Sequence, residues 1–190
     1  MKFIFPLVLS FMALANLNSE VKEAEADYCV YASEVTSLFL DQVHKEYGFI
    51  CTGSGGSMPH DIEKITVFLT AYRRATIDEA RELQVTLTEK FAQIINTHEK
   101  IRPFLREYPF PSNRADVSIS FENPKIKKRA QLADDEVTFV FQARGRIFYQ
   151  ADNPKSRYLY DDLKDEPYEE ARAIVYKGIP KNDSKSKEAF

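Results

Sequence analysis

The densest grouping of chemically capable side chains lies between Cys51 and Asp61, where Cys51, Ser54, Ser57, His60 and Asp61 fall within eleven residues. A thiol or hydroxyl close to an imidazole and a carboxylate is the raw material of nucleophilic hydrolysis. Cys51, His60 and Asp61 are therefore the candidate catalytic set, and they would make the chain a cell-envelope hydrolase. The stretch has no Gly-x-Ser-x-Gly between a strand and a helix. Gly53, Gly55 and Gly56, three of the six glycines in the chain, make it read as a flexible loop. The expectation is a non-catalytic loop in which Asp61 helps launch the next strand.

Other chemistries find less support. Gly53-Ser54-Gly55-Gly56 resembles an anion cradle, but a phosphate loop needs a strand before it, a helix after it and a Lys at its end, and here the order is reversed. His44, His60 and His98 are the only histidines, and no pair of them has metal spacing. Asp134-Asp135-Glu136 and the Asp161, Asp162, Asp165, Glu166 run supply oxygen ligands without the alternation and Gly of a calcium loop. No metal and no cofactor are expected. Lys125, Lys127, Lys128 and Arg129 form a small basic cluster that reads as an ordinary charged loop.

Met1-Lys2, an apolar run from Phe3 to Leu14 and the small-x-small site Ala13-Leu14-Ala15 have the order of a cleavable secretory signal. Removing residues 1–15 leaves 25 basic against 29 acidic residues, a balance that argues against a nucleic-acid partner. The apolar run is shorter than the roughly 20 residues of a membrane-spanning helix, and no second run of that length follows. The expected location is periplasmic or secreted, with no stable transmembrane segment after cleavage.

Around the loop, the pattern divides the chain into an acidic lead-in at 16–27, one α+β domain at 28–181 and a polar tail at 182–190. Apolar residues at three and four residue steps predict a helix from Tyr28 to Tyr47, closed by Gly48. Ile65 to Ala71 alternates as a strand. Thr76 and Glu79 form a capping box that opens a long helix ending near His98, with Ala80, Leu83, Leu87, Phe91, Ile94 and Ile95 inward and Arg81 outside. Strands follow at Val117–Phe121, Val137–Ala143 and Arg146–Gln150, the last two joined at Arg144-Gly145. Asp152 to Glu166 reads as charged turns, and Pro167 to Tyr176 as a short helix. The fold class is α+β: an antiparallel sheet of about four strands packed with one long helix, an N-terminal helix and a short C-terminal helix.

Gly-Ser-Met-Pro-His-Asp-Ile-Glu-Lys-Ile at 56–65, Glu-Ala-Arg-Glu-Leu at 79–83 and Ile-Arg-Pro-Phe-Leu-Arg-Glu-Tyr-Pro-Phe at 101–110 resemble segments of a family of small exported bacterial proteins. The resemblance runs from Tyr47 to about Tyr149. It implies export and a bacterial envelope setting, and it transfers no functional residue.

Two further expectations concern geometry. A helix from Val30 to Glu46 separates its ends by about 25 Å, and the five residues after it return roughly 17 Å. A disulfide tolerates only about 7 Å between Cα atoms, so a full-length helix and a Cys29 to Cys51 bond do not coexist. A two-residue turn at Arg144-Gly145 puts Phe141 opposite Phe148 and Val140 opposite Tyr149. One face of that hairpin then carries Phe139, Phe141 and Phe148, and the other Val140, Ile147 and Tyr149. Both are apolar, so the Val140, Ile147, Tyr149 face is either covered by the first helix or is a binding surface. The functional expectation is a non-catalytic domain that binds another protein or envelope component. A small-ligand carrier, with an enclosed pocket between helix and sheet, is the third alternative.

Overall fold

The computed structural model describes residues 28–122, 136–153, 155 and 159–177. The leader at 1–15, the acidic lead-in at 16–27, the basic cluster at 125–129, Asp134-Asp135 and the tail at 182–190 lie outside the described residues.

Residues 28–47 form α1. Gly48 closes it at φ +71°, and its N–H donates to the His44 carbonyl at 2.9 Å, the left-handed stop for which glycine has no steric cost. The helix is unbroken and both cysteines are free thiols, in line with the geometric argument against their pairing. Then come β1 (Ile50–Ser57), β2 (Lys64–Ala71), β3 (Ala75–Thr76) and α2 (Ile77–Thr97). Short 3-10 turns at Glu99–Phe104 and Ser112–Arg114 lead to β4 (Ala115–Phe121), β5 (Glu136–Val137), β6 (Phe139–Ala143), β7 (Arg146–Asp152), β8 (Tyr160–Pro167) and α3 (Tyr168–Tyr176).

Among the described residues the main sheet has six strands in the order β1-β2-β4-β6-β7-β8, and β3 pairs with β5 separately. The class is mixed α/β, and the expected count of about four strands is corrected to six. The two additions are the strands at its ends. β1 falls where glycine signalled a loop, and β8 falls where charge signalled turns. An edge strand needs only one row of backbone partners and no buried face, so neither has to show the alternation of a half-buried strand.

The sheet is also not wholly antiparallel. β1–β2, β4–β6, β6–β7 and β7–β8 pair antiparallel. Lys64 and Thr66 at the start of β2 reach Asp116 at the start of β4, whereas Ala71 at the end of β2 accepts from the Glu122 amide just past the end of β4. Strands that begin together and end together run parallel, and α2 is the crossover that a parallel pair requires.

Contacts divide the chain into two compact units, Met1–Thr70 with Thr88–Val117 and Ala71–Leu87 with Ser118–Phe190. In the first, Phe39 of α1 stacks on Phe91 of α2 at 4.5 Å between centroids, and Val35, Val43, Ile62, Val67, Ile95 and Ile101 of the same unit are fully buried. Asn96 grips the Phe110 backbone twice, accepting its N–H at 2.6 Å and donating to its carbonyl at 2.9 Å.

In the second unit, Thr76 and Glu79 form the expected reciprocal cap. The Thr76 amide donates to Glu79 Oε2 at 2.9 Å and the Glu79 amide to Thr76 Oγ1 at 3.3 Å, which holds the Glu79 carboxyl below its usual range. The β6–β7 register pairs Phe141 with Phe148 and Val140 with Tyr149, as the two-residue turn requires. Val140, Ile147 and Tyr149 are fully buried. Phe139, Phe141 and Phe148, on the opposite face, are half-buried and stack in a row at 5.3 and 5.1 Å.

Candidate functional site

In the first unit α1 sets the geometry of an open groove. Cys29, Ser33 and Ser37 recur at four-residue steps, and so do Ala32, Thr36 and Leu40, so the six form one flank of the helix. Ser54, Gly55 and Gly56 of β1 form the facing wall, with Met58 and Ile65 at its end and floor. The groove has a volume of about 550 Å³ and is open to solvent. Among the described residues no lining side chain carries a charge. On the other flank of α1 a second depression of about 550 Å³ is lined by Val30, Glu34, Leu38, Asp41 and His98, and it shares Ser33 and Ser37 with the first.

The strand beside the groove is unusual in composition. β1 reads Ile-Cys-Thr-Gly-Ser-Gly-Gly-Ser, is exposed at seven of its eight positions and, among the described residues, pairs only with β2. Its register breaks once, between Cys51 and Gly53, and then runs without interruption from Gly53↔Phe68 to Ser57↔Lys64. Gly56 is required by space, since a Cβ there would sit 2.4 Å from the Lys64 carbonyl oxygen, whereas a Cβ on Gly55 would meet nothing within 4 Å. What looked like a glycine loop is a strand in which Gly56 permits a close approach to its neighbour.

The Cys51, His60, Asp61 set is not assembled. Cys51 Sγ donates to the Gly53 carbonyl at 3.4 Å, His60 is exposed, and Asp61 accepts from Arg106 Nε at 2.9 Å. Arg106 also pairs with Glu63 at 2.7 Å, so Asp61 belongs to an ion-pair cluster that fixes the chain between β1 and β2. No hydrogen bond joins the three among the described residues. Nor, among those residues, do three or more His, Cys, Asp or Glu side chains come together to hold a metal ion.

The Val140, Ile147, Tyr149 face, expected either to be covered by the first helix or to be a binding surface, is core, so these three are not a contact surface. Tyr149 is capped inside the second unit by a polar cluster that helix periodicity did not reveal. Arg81, expected on the outer side of α2, is buried. Its Nε and Nη2 donate to the two oxygens of Glu166 at 2.6 and 3.3 Å, and it also pairs with Asp78. The Tyr149 hydroxyl donates to Glu166 Oε1 at 2.5 Å, and Lys164 lies 2.9 Å from Oε2.

Burial alone would raise the Glu166 carboxyl, but hydrogen bonds from Arg81, Tyr149 and Lys164 outweigh it and hold it at about 2. Burial, followed by the bond to Glu166, pushes the Tyr149 phenol well above its usual range. Neither group exchanges protons near neutrality, so the cluster is a clamp between α2 and the β7–β8 pair rather than acid–base machinery.

Among the described residues, no helix is long and apolar enough to cross a membrane. No protein-family model matches the chain, and no curated protein or solved structure matches it.

Proposed function

We propose that the chain is an exported, non-catalytic binding domain of the bacterial envelope or secreted fraction, holding another protein in the groove between α1 and β1. The observation that carries this reading is the groove itself: about 550 Å³ of open, uncharged space beside an exposed strand. Solvent-facing α1 adds Val30 and Leu38, each about half exposed at 51% and 49%, which extends the apolar surface beyond the groove. Export is supported by the leader at 1–15 and by the resemblance of 47–149 to exported bacterial proteins.

The test is native size in the exported fraction of the producing cells. The wild-type chain is expected to elute as a complex well above its own mass. Ser37→Arg, at an exposed helix position on the groove wall, is expected to elute as the free chain with unchanged circular dichroism. A wild-type chain that elutes alone overturns the reading.

A further inference from the structure

The main sheet ends in two edge strands that are treated in opposite ways. β8 carries Asp161, Asp162, Lys164, Asp165 and Glu166 within eight residues, the charge that natural edges use to refuse a further strand. β1, also of eight residues, carries no charge and no proline. Its one irregularity lies at Cys51/Gly53, which leaves five successive residues in regular register. At about 3.3 Å per residue, that is a straight edge of roughly 17 Å. A free edge presents a row of backbone donors and acceptors, and the group that satisfies such a row is another extended backbone.

We propose that the partner contributes an uncharged extended segment that adds to the outer edge of β1 and lays alternate side chains into the α1 groove. This rests on the binding-domain reading above and names the chemistry of its partner. Every lining side chain among the described residues is neutral, so a charged side chain entering the groove finds no counter-charge there. A second copy of β1 is a poor occupant, because Gly53, Ser54, Gly55 and Gly56 offer almost no side chain to fill about 550 Å³. A partner strand with apolar side chains at alternate positions fills it.

The experiment pans a display library of eight-residue peptides, the length of β1, against the full chain and resynthesises the selected sequences as probes. Selected peptides are expected to lack charge and to alternate apolar with small polar residues. A probe should slow amide exchange at residues 53–57 and not at 160–166. N-methylation of every second amide should abolish binding in one phase and spare it in the other, because only alternate amides of an added strand face β1. Ser37→Arg should weaken the probe at least about tenfold with the thermal midpoint unchanged. Enrichment of charged peptides, protection elsewhere, equal tolerance of both methylation phases, or dimerisation of the free chain through β1 each overturns the proposal. A chain that keeps its native complex in the size measurement but selects no such peptide loses this inference and retains the binding reading.

Discussion

Arg81 and Glu166 stand 85 positions apart and meet as a two-pronged ion pair inside the second unit, with Tyr149 donating to the same carboxylate. Removing one member of a buried pair leaves the other charge without compensation, at about 3–5 kcal/mol. Glu166→Gln is therefore expected to lower the unfolding free energy by about 3 kcal/mol or more, and Tyr149→Phe by about 1 kcal/mol. The double variant Arg81→Met with Glu166→Leu should cost far less than the Glu166 change alone. Urea titrations of the three variants check this.

The same carboxylate sets part of the acid sensitivity. Glu166 is held at about 2, below its ordinary 4.5, so between those values the unfolded chain binds the proton that the folded chain refuses. The stability it supplies is complete above the ordinary value and is lost as pH falls towards the folded one. Comparing urea midpoints of wild type and Glu166→Gln across that window should show a steeper acid loss in wild type. Parallel curves would contradict the assignment.

The β6–β7 turn shows what the sequence made legible. Arg144-Gly145 between alternating apolar residues specified a two-residue turn, and with it the pairing of Val140 with Tyr149 and the composition of each face. Periodicity alone could not say which apolar face would be covered, because that depends on groups distant in the chain, such as Arg81. An arginine on a helix flank reads as surface until its carboxylate is located. The edge strands were hidden for a different reason: glycine in β1 and carboxylates in β8 are loop signals everywhere except at a sheet edge.

That turn yields a prediction of its own. Arg144 and Gly145 both have positive φ, +51° and +73°, the pattern of a type I′ turn, in which Asn is favoured at the first position. Arg144→Asn is expected to stabilise the chain by about 0.5 kcal/mol, since a bulky side chain is strained in the left-handed region. Thermal unfolding measures it.

Gly55 and Gly56 are neighbours with opposite tolerances. A methyl group on Gly56 would collide with the backbone of β2, whereas one on Gly55 enters open space. Gly56→Ala should destabilise the chain by about 1–3 kcal/mol and speed amide exchange along β1. Gly55→Ala should leave both nearly unchanged.

Occupancy of the groove is read by site-specific photo-crosslinking of the full chain in its own cells, with the photoreactive side chain placed at Ser54 on the groove wall or at exposed Glu170 of α3. A groove-bound partner gives a discrete higher-mass adduct from position 54, its loss when Ser37→Arg is added, and no adduct from position 170. An adduct from position 170 alone, or equal adducts from both positions, would contradict it.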